Sequence, residues 1–272
     1  MDLLMKNFRS TTVVLRDESP ATISVPAAFG EQLSSLYALV QHSRFVFGSP
    51  LGPLEMPDRQ LHVPRFVYFG PDASDAALRL SLTAGFDHRD LRPTFALLRI
   101  IECLALQSHL GQGANLSIFP LIDVLGLAQM RTDRKLWDEN WSRSRSPEII
   151  LLERDARLRA YHGFIRFESA FDDDVVTIRL RAATPEENVA PALEFISSHD
   201  FESLAVRWET DATPYFEHGP LSIADDLPLR PFELTVRIPA SWPLDRYANA
   251  AASILQGFVQ RFRAFFSYAQ NL

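Results

Sequence analysis

Short apolar runs of strand length alternate with longer, mostly amphipathic stretches of helical length along the chain. Such alternation admits few architectures. It predicts a mixed, mostly parallel β-sheet covered by helices, an α/β fold. Thr11–Arg16 reads as a first strand, Phe29–Phe45 as mostly helical, and the Pro/Gly-rich Gly48–Pro57 as a turn. Val63–Phe69 and Leu78–Phe86 read as strands split by the turn Pro71–Asp75. A helix over Pro93–Leu110 follows, with Phe95, Leu98, Ile101, Cys103 and Leu106 as its apolar stripe and Gly111 as its stop. Asn115–Ile122 is a continuous apolar strand, and Ser146-Pro147-Glu148 opens another helix. Phe164–Ala170 and Val175–Leu180 are strands around the acidic turn Asp172-Asp173-Asp174. A short helix is expected over Glu186–Ser197, a strand over Phe232–Ile238, and a final helix over Pro243–Tyr268 whose broad apolar face belongs to the core.

With 272 residues, 47% of them hydrophobic, the chain is long enough for one large, well-packed domain, 1–272, and it has no repeat or linker. The net charge of −7, with no basic run, argues against a nucleic-acid partner. No apolar run approaches the ~20 residues of a membrane span, and Met1–Ser10 lacks the apolar core of a signal peptide. Cys103 is the sole cysteine, which excludes an internal disulfide and a thiolate cluster. A reducing cytoplasm is the expected setting.

Few residues announce chemistry unaided. Asp87 and Asp90 sit at a strand end, where Asp90 can cap the next helix. His88, His162 and His218 share no metal-binding spacing, and the Asp172–Asp174 run lacks the spaced oxygen ligands of a calcium loop. Trp137 and Trp141 flank Asp138-Glu139-Asn140 and are candidates for a pocket wall.

Ala84-Gly85-Phe86-Asp87-His88-Arg89-Asp90 closes a strand and opens a Leu-rich helix. It resembles the A-G-I-H-G-x-E motif of zinc carboxypeptidases and the succinylglutamate desuccinylase/aspartoacylase group, whose His and Glu bind zinc. Ile118–Gly126 is similar to that family's strand and N-P-x-G turn, and Asp138–Trp141 to its D-L-N-R segment. Ser146-Pro147-Glu148 is similar to S-P-E, Phe164–Ser169 to a strand ending in D-L-H-E, and Leu234–Pro239 to L-T-L-E-T-P. The matches keep the family's order from about Leu61 to Phe266. The resemblance implies a three-layer, zinc-carboxypeptidase-like domain.

The departures from the family pattern fall on its working positions. Asp87, Asp90 and Glu168 stand where the resemblance implies the three metal ligands, and Arg237 stands at the catalytic Glu. Asn140 is retained at a substrate-binding position, Trp141 replaces the neighbouring Arg, and Asp123 stands at the turn's Asn. Replacing both imidazoles by acids removes the nitrogen donors zinc favours. A guanidinium stays protonated and cannot serve as the base. No cofactor is therefore expected; if a metal is bound, a hard divalent ion such as magnesium, manganese or calcium is expected before zinc. Three carboxylates in one pocket also need a compensating charge, and Arg237 is expected to supply it by bridging two of them. The leading expectation is a catalytically impaired protein that binds a peptide or acylated amino acid. The rivals are a metallohydrolase with an all-carboxylate site, Arg237 as oxyanion stabiliser and His88 as base, and a structural subunit acting through a protein partner.

Overall fold

The structure is a computed structural model that describes residues 25–71, 77–129, 136–182, 204–210, 218–227 and 231–269. The strand expected at Thr11–Arg16 and the helix expected at Glu186–Ser197 lie outside these residues.

Four buried strands run parallel through the middle of an eight-stranded sheet. They are β5 (Leu78–Thr83), β6 (Ala114–Phe119), β7 (Gly163–Ala170) and β10 (Phe232–Pro239), adjacent in the order β6-β5-β7-β10. β4 (Phe66–Phe69) pairs antiparallel with β6, and β1 (Val46–Gly48) pairs antiparallel with β4 to close one edge. At the other edge β8 (Val176–Ala182) runs antiparallel to β10, and β9 (Val206–Thr210) lies parallel to β8. The sheet is thus mixed and mostly parallel. A separate two-stranded ribbon joins β2 (Leu51–Glu55) to β3 (Gln60–Val63). The Gly48–Pro57 segment therefore holds strand as well as turn, and the single strand expected over Val63–Phe69 is divided around Pro64 and Arg65.

Helices α1 (Val25–Val40), α2 (Arg92–Leu106) and α5 (Leu244–Ala269) pack together, α2 against both others. Leu97, Leu98, Ile101 and Leu104 of α2 are buried there. Phe232 of β10 meets Phe258 and Phe262 of α5 at ring distances of 5.5 and 6.1 Å, so even-numbered β10 residues face this layer. A short helix α3 (Val124–Gln129) follows β6. Helix α4 (Pro147–Arg159) opens on an extended Ser146 with Pro at its first turn, as the sequence signals predict, and ends on left-handed Ala160. Its Glu148 at the start and Arg157 and Arg159 at the end suit the helix dipole. Beyond α4, Tyr161 and Trp141 meet Phe164 edge-on, covering the opposite face of β7.

A buried charge pair ties the ribbon side of the sheet to α4. Arg65 contacts Asp155, Tyr161 Oη donates to Asp155 Oδ2 at 2.6 Å, and Arg65 Nε donates to the Ser49 carbonyl at 2.8 Å.

Candidate functional site

β5 runs into Ala84-Gly85, and Gly85 turns the chain with φ +65°. A side chain there would bring Cβ to 2.6 Å from Thr94 Oγ1 and 3.0 Å from the Leu121 backbone, so the turn requires glycine. The turn delivers Asp87 and Asp90 to the carboxyl end of the parallel strands. Open α/β sheets bind ligands at this end. β7 ends beside it, bringing Glu168, and the Glu168 carbonyl is held by Tyr247 Oη of α5 at 2.9 Å.

A cleft of about 160 Å³ opens there. Asp87, Asp90 and Glu168 all line it, together with the rings of Phe86, Trp137, Phe167 and Phe171. The three carboxylates expected to share a site are thus brought to one place. Phe171 is 71% exposed at its rim.

Each of these acids has its own arginine two residues away. Arg89 grips Asp87, with Nε 2.8 Å from Oδ1 and Nη2 2.6 Å from Oδ2, and the Arg89 amide donates at 3.0 Å. Burial alone would raise the Asp87 carboxyl, but the hydrogen bonds and charge of Arg89 outweigh it and hold Asp87 below the usual carboxylate range. Arg92 meets Asp90 at 3.3 Å, and its amide donates to the same oxygen at 3.2 Å. Arg166 Nε lies 2.8 Å from Glu168 Oε1. That nitrogen lacks a well-aligned hydrogen bond, so the pair is held by charge more than by direction. The remaining Arg166 nitrogens donate to the Trp137 carbonyl at 2.8 Å and Thr235 Oγ1 at 3.3 Å.

The expected bridge by Arg237 is not formed: Glu168 pairs with Arg166 instead. Arg237 stands beside Glu168 in register on β10, yet no carboxylate among the described residues lies within 4.0 Å of its guanidinium. Arg166 and Glu168 lie two residues apart on one face of β7, and it is the Arg166 side chain that turns along the strand to meet Glu168.

His88, the alternative base, is turned from the cleft into the core. Its Nδ1 lies 2.7 Å from Asp123 Oδ2, and both residues are buried. Asn140 Oδ1 serves its own turn, accepting from Ser142 Oγ at 2.7 Å and the Arg143 amide at 3.1 Å. Trp141 is buried with its amide on Ser222 Oγ, and Trp137 is the tryptophan that lines the cleft.

The residues present do not fit a zinc ion. The donors at the cleft are carboxylate oxygens already engaged by guanidinium groups. Among the described residues no three His, Cys, Asp or Glu side chains gather as a metal-holding group. The arginine partners were not anticipated, although the spacings Asp87-x-Arg89, Asp90-x-Arg92 and Arg166-x-Glu168 are visible in the sequence.

The fold has known counterparts. A metallo-carboxypeptidase from Burkholderia cenocepacia superposes with a TM-score of 0.68 at 13% identity, over 86% of this chain and 69% of its own. An aspartoacylase family protein from Mesorhizobium loti superposes at 0.54 with 14% identity, over 79% and 68%. A metallo-carboxypeptidase from Pseudomonas aeruginosa, in complex with (2-guanidinoethylmercapto)succinic acid, gives 0.55 at 13%, over 84% and 68%. The architecture is therefore that of the metallo-carboxypeptidases and aspartoacylases. No family model and no curated protein matches the sequence itself. Among the described residues, no helix is long and apolar enough to cross a membrane.

Proposed function

We propose that this chain is a carboxypeptidase-like protein whose zinc-dependent hydrolysis has been lost and whose cleft now binds a ligand in the cytoplasm. The ligand class is a peptide or an acylated amino acid. The observation that carries this reading is the pairing of each cleft carboxylate with an arginine, Asp87 with Arg89, Asp90 with Arg92 and Glu168 with Arg166. An oxygen committed to a guanidinium is a poor ligand for a dication, because the bound cation opposes the incoming charge. The sequence supports it further, since Arg237 occupies the place of the family's base and cannot accept a proton. The P. aeruginosa counterpart was solved in complex with a small molecule that carries a guanidine and two carboxylic acids, which supports a small charged ligand here.

A second reading is favoured by the sharing of one cleft by Asp87, Asp90 and Glu168. The three side chains do not gather as a metal-holding group as they stand, so this reading needs them to leave their arginines and close together; their oxygen donors would then suit manganese or magnesium better than zinc. Elemental mass spectrometry on purified protein, before and after incubation with zinc and with manganese, separates the two. The binding-protein reading expects metal far below one per chain and a melting temperature indifferent to chelator. Near-stoichiometric metal that disappears in Asp87→Ala would overturn it and establish the metallohydrolase.

A further inference from the structure

Two chemistries share the wall of the cleft. The first is aromatic. Phe86 and Phe167 are buried, Trp137 is half-buried and Phe171 stands exposed at the rim, so ring surface runs from the floor to the mouth. A large exposed ring continuous with buried ones leaves apolar area for a ligand to cover. The cleft volume of about 160 Å³ is close to the ~150 Å³ of an apolar protein cavity that takes up benzene, so one phenyl-sized group fills it.

The second chemistry is negative. Asp87, Asp90 and Glu168 line the cleft, and among the described residues no Lys, Arg or His does. Arg89 and Arg92 are about half-exposed, so water screens their charge. Asp87 has both oxygens engaged by Arg89. Asp90 and Glu168 each meet their arginine through one oxygen, and Asp90 Oδ2 and Glu168 Oε2 accept no hydrogen bond among the described residues. Carboxylate oxygens attract an ammonium and repel a carboxylate, and the negative faces of aromatic rings act with the same sign. Arg166 displays this preference within the chain. Its guanidinium carbon lies 5.9 Å from the centre of the Phe86 ring, and its Nε lies 2.8 Å from Glu168 Oε1. Two groups of the cleft wall thus hold one cation from behind.

We propose that the cleft binds an aromatic amine, taking a peptide by the free amino end of an aromatic first residue. The ring lies among Phe86, Trp137, Phe167 and Phe171, and the ammonium donates to Asp90 Oδ2 and Glu168 Oε2. This rests on the reading of the cleft as a metal-free binding site, and of the two ligand classes named there it selects the peptide.

The test is calorimetric titration of the full chain near pH 7, at constant ionic strength, on a preparation whose metal content has been measured. The probes are 2-phenylethylamine, its neutral N-acetyl derivative, propylamine and phenylacetate. The first should bind, and the other three at least tenfold more weakly. Asp90→Asn and Glu168→Gln should each weaken 2-phenylethylamine roughly tenfold, the loss expected when a charged acceptor is removed. Phe171→Ala changes an exposed side chain, keeps the fold and should weaken it roughly three- to tenfold. Glu209→Gln, which does not line the cleft, should bind as the parent does. Binding of phenylacetate or the N-acetyl derivative as tight as that of the amine would overturn the proposal. So would equal binding of propylamine, no binding of 2-phenylethylamine, or binding unchanged in both carboxylate variants. Such a result on metal-free protein leaves the metal-free reading standing, whereas near-stoichiometric metal overturns that reading itself.

Discussion

At the scale of single residues, the cleft depends on Gly85. Its positive φ is one that L side chains rarely adopt, and the space beside it is closed by Thr94 Oγ1 and the Leu121 backbone. Thr94 is itself fully buried, so it has no room to withdraw. Gly85→Ala therefore meets two costs at once, backbone strain and a steric clash with main chain, and should destabilise by about 2 kcal/mol or more. Urea denaturation checks this through a lower midpoint at unchanged slope. A change within about 0.5 kcal/mol, the range of an ordinary surface substitution, would show that the turn is not constrained as described. The same turn sets the spacing of Asp87 and Asp90, so the variant should also weaken any ligand bound in the cleft.

At the scale of elements, the Arg65–Asp155 pair decides how α4 is held to the sheet edge. Both side chains are buried, and Asp155 also accepts from Tyr161 and lies 3.7 Å from Arg159. Such a pair contributes little relative to a well-packed apolar substitute, because desolvation offsets the attraction. Removing one partner is different, since it strands the other charge in a dry place. Asp155→Ala should cost about 3–5 kcal/mol, the range for a broken buried pair. Thermal melting of this variant beside Arg65→Met/Asp155→Leu tests the distinction. The double variant should recover much of the loss, and equal destabilisation by both would contradict the argument. None of this was legible in the sequence, where Arg65 and Asp155 are 90 residues apart. The long elements were legible because their apolar spacing records burial directly, as in β5, β6, β7, β10 and α5. β1 was missed because three residues carry too little pattern, and β2 because Gly52 and Pro53 read as turn residues. At the cleft, the convergence of Asp87, Asp90 and Glu168 followed from motif order. Their partners did not, because spacing shows at most that residues i and i+2 share a strand face, and whether their side chains then meet depends on rotamers that the sequence does not record. The placement of Trp137 rather than Trp141 at the cleft is likewise a matter of which side chain a bend turns inward.

At the scale of the whole molecule, stability should fall in two acid steps that belong to different residues. His162 joins β7 to β5: its Nδ1 accepts the Arg79 amide at 3.0 Å, and its own amide donates back to the Arg79 carbonyl at 2.8 Å. Accepting that hydrogen bond requires the neutral ring. Burial, and then the nearby charge of Arg79, push the imidazole down to about 4 from its ordinary 6.5. An unfolded chain takes up this proton below pH 6.5, and the folded one only near pH 4. Between those limits the unfolded state binds more protons, so stability rises with pH. The contribution is complete above pH 6.5, is lost as the pH falls towards 4, and changes no further below it. Asp87, held low by Arg89, has the same sign at more acid pH. Its stabilisation is present above its ordinary value of 3.8 and disappears as the pH falls through its lowered folded value. Substitution separates the steps. In His162→Asn the amide oxygen still accepts from Arg79 but does not titrate, so the upper limb should flatten while the lower one persists. Asp87→Asn should do the reverse. Thermal midpoints from about pH 7 to pH 3 for the parent and both variants are the measurement. If His162→Asn melts with the parent's slope between pH 6.5 and 4, the imidazole is not held neutral, and the link between β5 and β7 must be sought in their backbone pairing alone.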